Sequence, residues 1–142
     1  AAIGFYREYI VIANGDIDSA EKAKQVLDYT GADALMIGRP AQGRPWIFRE
    51  INHYLATGKS LPPPETNEIK TTLCRHVANL HQHYGDFKGV RIARKHVGWY
   101  LETLPGGAIT KHEFNQLTSP TNQLDILKTF FNQLIIERDQ AA

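Results

Sequence analysis

Cysteine is almost missing from this 142-residue sequence, which contains only Cys74. A single thiol excludes an internal disulfide and fits a reducing compartment such as the cytosol. Long apolar runs are missing too, because YIVIA and ADALMIG are far shorter than the roughly 18–20 residues that a membrane-spanning helix needs. The N-terminus shows no basic segment followed by an apolar core, as a signal peptide would. These absences predict a cytoplasmic globular chain without a membrane partner.

Charge of one sign is not in excess either. Sixteen Lys and Arg against fifteen Asp and Glu give a net charge of +1. Hydrophobic residues make up 42% of the sequence and charged residues 22%, and these ordinary globular values argue against a disordered chain. The net charge does not identify a polyanionic partner, so any prediction of nucleic-acid binding depends on where the cations cluster.

The first part of the sequence alternates predicted strands and helices. Continuous apolar runs at residues 9–13 and 34–37 predict strands that are buried on both faces, as in a parallel sheet. Between them, Asp18 or Ser19 is predicted to cap a helix that Gly31 ends, and another helix follows the second strand. The order βαβα predicts parallel pairing. Two parallel strands are not stable alone, so we expect them to complete a larger barrel or to self-associate.

A proline-rich segment, GKSLPPP, interrupts this alternation and predicts an extended linker. Beyond it, apolar residues at helical spacing predict a small antiparallel helical bundle with short loops. The predicted helices cover about residues 66–84, 88–104 and 121–138, with a short segment around Phe114. The sequence therefore divides into a βαβα part, a linker and a helical domain, at residues 1–58, 59–65 and 66–142.

Polar turns follow both predicted strands, Asn14-Gly15-Asp16 after the first and Gly38-Arg39 about 24 residues later. In (β/α)8 barrels the loops after the last two strands often bind a phosphate. Glycine lets backbone amides approach an anion and tolerates positive φ, and arginine adds a fixed charge with several donors. The amides after Arg39 are expected to open a short helix whose N-terminus faces the anion. The paired turns thus predict half of a phosphate site.

A stripe of cations without any acid occupies residues 88–100. On a helix Arg91, Arg94 and Lys95 share one face. Such a stripe on a nearly neutral protein is typical of a surface that contacts a phosphate backbone. We predict RNA contacts from its four cations, Lys88, Arg91, Arg94 and Lys95.

Each of these signals has a simpler alternative. The two polar turns are also ordinary turn chemistry. Asp16 would repel a phosphate, so we expect it to cap the helix or to accept a hydrogen bond from a cofactor hydroxyl or a backbone amide. Arg91 or Arg94 is alternatively a buried residue that ties helices together. Trp99 and Tyr100 either stack on bases or, as we expect, belong to the helical core.

The histidines near Cys74 do not have the spacing of a metal site. Cys74 and His81 lie seven residues apart, as do His76 and His83, so the two pairs point in different directions on one helix. The apolar neighbours of Cys74 favour a small residue near a helical core. We therefore predict no metal.

Three segments in succession, VIANGDI, GADALMIGRPAQGRPWIFREI and KGVRIARKHVGWYL, resemble the tRNA-dihydrouridine synthase family, most closely its bacterial B-type members. The resemblance extends from about Tyr9 to the C-terminus, is least specific after Pro105, and does not include residues 1–8. It implies an α/β plus all-α chain: the last two βα units of an FMN-binding TIM (β/α)8 barrel, then a small helical bundle that binds tRNA.

The resemblance also implies an activity, in which the parent enzyme reduces uridine in tRNA to 5,6-dihydrouridine with FMN and NADPH. The family's catalytic cysteine, in the middle of the barrel, matches no residue of this sequence, because Cys74 follows the linker. No catalytic residue is therefore assigned, and the 142 residues alone are expected to be inactive. The alternatives are a non-enzymatic RNA-binding module or part of another FMN-dependent barrel oxidoreductase. The implied FMN contacts, mainly to the phosphate and ribityl end, are Asn14, Gly15, Asp16, Gly38 and Arg39.

Overall fold

A computed structural model of the protein describes residues 9–142, and the expectation for residues 1–8 lies outside them. The chain forms two compact units that divide between Pro63 and Pro64. Within the described range no helix is both long enough and apolar enough to cross a membrane. The strands are β1 (Ile12–Asn14) and β2 (Ala34–Met36). The helices are α1 (Ala20–Thr30), α2 (Ile47–Thr57), α3 (Thr66–Leu101), α4 (Gly107–Gln116) and α5 (Pro120–Ala141), with a 3-10 helix at Arg39–Ala41.

The two strands of the first unit pair in parallel, so their carboxyl ends meet at one edge of the sheet. The predicted first strand, residues 9–13, is wrong in extent and in burial. It begins only at Ile12, and Ile12 and Met36 are each 53% exposed. Leu35 and Ile37, which alternate with Met36, pack against the core. The apolar runs indicated burial on two faces, whereas the helices of this unit cover one face of the described sheet.

The helices of the first unit begin and end where local chemistry favours it. The hydroxyl of Ser19, rather than Asp18, caps α1 by accepting a hydrogen bond from the Lys22 amide at 3.1 Å. Gly31 ends α1 and Gly58 ends α2, both in the left-handed conformation. The buried centre between these helices consists of Ile17, Ala23, Ile47 and Ile51.

The helix α3 is interrupted at Gly85, where φ is 78° and ψ is 170°. The chain reverses there, as contacts between the two halves of α3 show. The ring of His76 lies 4.8 Å from that of His96, and the Nδ1 atom of His76 lies 3.4 Å from the Tyr100 hydroxyl. We call residues 66–84 the first arm and residues 86–101 the second arm. Two successive helices with a break between them agree with the sequence-based expectation.

The arms of α3 approach each other closely at Gly89. A Cβ atom at this position would lie 2.7 Å from the carbonyl oxygen of Leu80 and 2.8 Å from the Cα of His81. The helices α4 and α5 pack against α3 and against each other. Their shared apolar core is completely buried at Leu73, Val77, Ala93, Val97, Phe114, Leu127 and Phe131.

A chain of buried hydrogen bonds crosses this core. The Nε2 atom of His81 lies 2.7 Å from Oε1 of Gln123, and Nε2 of Gln123 donates to the carbonyl oxygen of Val90 at 3.0 Å. Because an amide oxygen only accepts, the His81 nitrogen is the donor. One side chain of α5 thus satisfies polar groups of both arms.

Gln123→Ala is expected to lower the free energy of unfolding by about 2–4 kcal/mol, because it leaves the His81 N–H and the Val90 carbonyl without their partner in a buried place. Urea unfolding measures the change. Gln133→Ala is the matched control in the same helix; its side chain is exposed and bonds only Glu137, so we expect a change within about 0.5 kcal/mol. Equal effects of the two substitutions would contradict the assignment.

Candidate functional site

The turns that follow β1 and β2 lie together at the carboxyl edge of the sheet. In the first turn φ is 137° at Gly15 and 45° at Asp16, and the left-handed region that Asp16 occupies is one that aspartate tolerates. The Oδ1 atom of Asp16 lies 2.8 Å from Nη2 of Arg39 in the second turn. The parallel register therefore joins two residues that are distant in the sequence.

A concave space of about 460 Å³ opens between these turns. All five residues that the sequence assigned to the cofactor line it, so the structure brings the predicted set together. Gly15 uses its freedom to adopt positive φ, but Gly38 does not, since its φ is −102° and its ψ −111°. The lining residues are Asn14, Gly15, Asp16, Ile17, Gly38, Arg39 and Pro40.

The ion pair between Asp16 and Arg39 is exposed, with side-chain exposures of 85% and 82%. Such a pair contributes only about 0–1 kcal/mol, so an incoming phosphate can take the place of Asp16 at little cost and engage the guanidinium by two hydrogen bonds. The amides of Ala41 and Gln42 donate to the carbonyls of Gly38 and Arg39, both at 3.0 Å. These two amides are therefore already hydrogen-bonded within the 3-10 helix. The positive charge of the site comes from Arg39.

The second arm carries the predicted cations in two different settings. Lys88, Arg91 and Lys95 are exposed, and we call these three residues the basic face. Each of their cationic groups lies 5.2–5.4 Å from an aromatic ring centroid, a geometry that restrains long side chains through cation–π attraction. The ring partners are Tyr84, Phe87 and Trp99, of which Phe87 is 77% exposed.

Arg94 does not belong to the basic face. It is half-buried, and its Nη2 donates to the carbonyl oxygen of Leu117 at 3.0 Å. Since Leu117 ends α4, this bond ties the second arm to that helix, which is the structural alternative considered for Arg94. Tyr100 is buried, as expected for a core residue, whereas Trp99 is only half-buried.

A second concave space, of about 480 Å³, lies between the second arm and α4. It contains Lys111, a residue of α4 that sequence reasoning missed. A Cβ at Gly98 would lie 3.0 Å from Cε and 3.4 Å from Nζ of Lys111, so Lys111 lies across the second arm at this glycine. The glycine inside a helix was the available signal. We call this space the Lys111 cleft, lined by Arg94, Lys95, Gly98, Trp99, Lys111 and Asn115.

Both the polar turns and the basic face lie within the range that a family model recognises. The model, described as Dihydrouridine synthase (Dus), matches residues 7–135. This chain belongs to the dihydrouridine synthase family. The match confirms the resemblance that the three sequence segments indicated.

Relatives of this dihydrouridine synthase chain are named tRNA-dihydrouridine synthase B. It is 59% identical over 123 residues to the protein of Pseudomonas syringae pv. tomato, 58% over 121 residues to that of Escherichia coli, and 55% over 124 residues to that of Vibrio vulnificus. These alignments cover 85–87% of this chain and 36–38% of each relative. The chain thus spans little more than a third of the length of the relatives it matches.

Cys74 of this dihydrouridine synthase chain is a half-buried residue of the first arm. Burial raises the pKa of its thiol, and the nearby ammonium groups of Lys70 and Lys128 lower the pKa by a smaller amount. A thiol with a raised pKa is a poor nucleophile, which fits a structural residue. Among residues 9–142, no three or more His, Cys, Asp or Glu side chains are grouped so as to hold a metal ion.

The free energy of unfolding is expected to decrease as the pH falls below about 6.5. Burial lowers the pKa of His76 and of His96 beneath the ordinary value. The nearby imidazole of His96 lowers the pKa of His76 further, and the ammonium group of Lys95 does the same for His96. A histidine whose folded pKa is depressed contributes stability above its unfolded pKa, and this contribution is lost on acidification because the unfolded chain binds the proton more tightly.

Urea unfolding at about pH 7.5 and about pH 5.5 measures this dependence. The double variant His76→Gln, His96→Gln is expected to show a shallower loss of stability on acidification. His112→Gln replaces an exposed histidine and should leave the slope unchanged. An equal slope for the double variant and the wild-type chain would contradict the role of the pair.

Proposed function

We propose that this chain is the C-terminal portion of a tRNA-dihydrouridine synthase, an oxidoreductase that reduces uridine in tRNA to 5,6-dihydrouridine. The observation that carries the proposal is the identity of 55–59% to proteins named tRNA-dihydrouridine synthase B. The range that the family model matches contains both the polar turns and the basic face. An RNA-binding module without a cofactor would need only the second of these features.

The proposed architecture places residues 1–58 in the last two βα units of a TIM barrel, residues 59–65 in a linker and residues 66–142 in a helical domain that binds tRNA. Apolar side chains exposed on the two strands and in the segment that leads into β1 support it, because a barrel would cover them with further elements. In the 142 residues by themselves, self-association is the other way to cover the same surface. These exposed side chains are Tyr9, Ile10, Ile12 and Met36.

The donor set at the polar turns fits the phosphate end of FMN. Arg39 would hold the phosphate through two parallel N–H donors, and the amide of Asn14 would donate to a cofactor oxygen. Asp16, once released from Arg39, would accept a hydrogen bond from a ribityl hydroxyl. Gly15 and Gly38 have no Cβ to keep the ligand from the backbone. When bound, FMN supplies hydride transfer, and NADPH is the proposed electron donor.

The exposed cations of the second arm would contact the phosphate backbone of tRNA. Contacts of this kind give affinity and orientation rather than sequence readout. Exposed aromatic rings between the cations, above all Phe87, offer faces on which unpaired bases can stack. A tRNA substrate favours a cytoplasmic location.

Incubation of the 142 residues with FMN, NADPH and unmodified tRNA tests the assignment of roles. We expect tRNA binding that weakens steeply with salt and no dihydrouridine, because the family's catalytic cysteine matches no residue of this sequence. Formation of dihydrouridine would overturn the expected inactivity. Absence of salt-dependent tRNA binding would overturn the RNA-binding role. The same binding measurement with bulk RNA in place of tRNA would show whether tRNA is preferred.

A further inference from the structure

We propose that the Lys111 cleft holds one backbone phosphate of the bound RNA, with Lys95 and Lys111 as its binding cations. The inference rests on the proposed binding of tRNA by the basic face and adds a contact that comes from a second helix. Lys111 is thereby assigned to RNA binding, although it lies sixteen residues beyond Lys95 in the sequence, outside the basic stripe.

The charge of the cleft matches a phosphodiester. Of its six lining residues three are cations, Arg94 and Lys95 from the second arm and Lys111 from α4, and none is a carboxylate. Cations that converge from two helices on one concave space create a local positive potential on a chain whose net charge is only +1. Arg94 contributes charge from a fixed position, because its Nη2 is bonded to the Leu117 carbonyl at 3.0 Å.

The placement of Lys111 depends on Gly98. A glycine inside a helix destabilises it by about 1 kcal/mol relative to alanine, so this position calls for a reason. The reason is steric: the Cε of Lys111 would lie 3.0 Å, and its Nζ 3.4 Å, from a Cβ at Gly98. Without that Cβ, the side chain of Lys111 lies against the second arm and brings its ammonium group into the cleft.

The cleft is continuous with the basic face through Lys95, which belongs to both. Its ammonium group lies 5.2 Å from the ring centroid of Trp99, which restrains the side chain at the border between the two surfaces. A polyanion that follows the basic face therefore meets the cleft as its next positive position. A free phosphate ion would have no need of this continuity, which favours an RNA backbone as the ligand.

Two substitutions test the Lys111 contact to different degrees. Lys111→Gln deletes the charge, so it is expected to weaken tRNA binding about 5-fold at about 0.15 M salt and to reduce the slope of log K against log salt by about 0.7–0.9, the change for one phosphate contact. Gly98→Ala adds a Cβ that only shifts the flexible end of Lys111, so we expect a smaller loss of affinity and a slope close to that of the wild-type chain. Gly98→Ala should retain or raise the thermal stability, which separates lost binding from lost folding.

Fluorescence anisotropy with labelled tRNA, between about 0.05 and 0.3 M salt, measures both quantities. The matched control is Lys128→Gln, an exposed lysine of α5 that does not line the cleft, and its slope should equal that of the wild-type chain. An unchanged slope and affinity for Lys111→Gln, with binding still dependent on the basic face, would overturn this inference alone.

Two further outcomes distinguish the possible ligands and hypotheses. If the wild-type chain shows no salt-dependent binding of tRNA, the proposed RNA-binding role and this inference both fail. Inorganic phosphate, added at constant ionic strength, is expected to compete only weakly with tRNA. Saturable competition by phosphate that disappears in Lys111→Gln, without any loss of tRNA affinity in that variant, would identify a free-anion site and contradict the RNA assignment.

Discussion

Replacement of Lys88, Arg91 and Lys95 by glutamate is expected to weaken tRNA binding by at least about 100-fold at about 0.15 M salt. Three phosphate contacts are lost, each of which contributes about 0.9 to the slope of log K against log salt on a duplex, and the new carboxylates add repulsion. The slope itself should fall by about 2–3. Equilibrium anisotropy at several salt concentrations measures both changes.

The choice of these three residues follows from the structure. Arg94 is left unchanged because its bond to the Leu117 carbonyl holds α4 against the second arm, so its loss would mix a folding defect with a binding defect. A control variant with the same change of net charge replaces Lys22, Lys24 and Lys128, which are exposed elsewhere. We expect it to bind tRNA within a few-fold of the wild-type chain. Equal losses in both variants would show that only net charge matters.

Gly89→Ala is expected to destabilise the second unit by about 1–3 kcal/mol, and Gly89→Val by more. Helix propensity alone would make alanine the better residue by about 1 kcal/mol. Here the added Cβ would lie 2.7 Å from the Leu80 carbonyl oxygen and 2.8 Å from the Cα of His81, so the two arms must separate. Backbone atoms cannot rotate away as a side chain does, and separation also disturbs the buried bond between His81 and Gln123.

Gly98→Ala is the matched control, since it is the same change in the same arm. The Cβ there meets only the flexible end of Lys111, which can move, so propensity should dominate and stability should be retained or raised. Urea unfolding of both variants gives the comparison. A stability of Gly89→Ala equal to that of Gly98→Ala would contradict the close approach of the arms.

Local chemistry in the sequence predicted much of the described fold. The sequence predicted either Asp18 or Ser19 as the N-terminal cap of α1. The structure selects Ser19, because its hydroxyl accepts a hydrogen bond from the Lys22 amide. A break between two helices was also expected, since the predicted helices covered about residues 66–84 and 88–104. Both features depend on residues within a few positions of each other, which is the range over which propensity and capping act.

Features that depend on distant partners were harder to predict. The apolar run at residues 9–13 indicated a buried strand, but burial is decided by what covers the sheet, and Ile12 is exposed. Arg94 shares a helix face with Arg91 and Lys95, which predicted RNA binding, yet its guanidinium donates a hydrogen bond to the Leu117 carbonyl. Lys111 was not predicted because Gly98, the signal available in the sequence, does not indicate which residue packs against it; only the packing of α4 on the second arm brings the two together.

The central claim is that this chain supplies the phosphate-binding turns and the tRNA-binding helices of a dihydrouridine synthase. A hybrid tests it most directly, in which the matching segment of the Escherichia coli tRNA-dihydrouridine synthase B is replaced by that of this chain. The measurement is the dihydrouridine formed on unmodified tRNA with FMN and NADPH. We predict activity in the hybrid, and loss of bound FMN and of activity when Arg39→Ala is added. A folded hybrid that fails to retain FMN or fails to bind tRNA would contradict the claim.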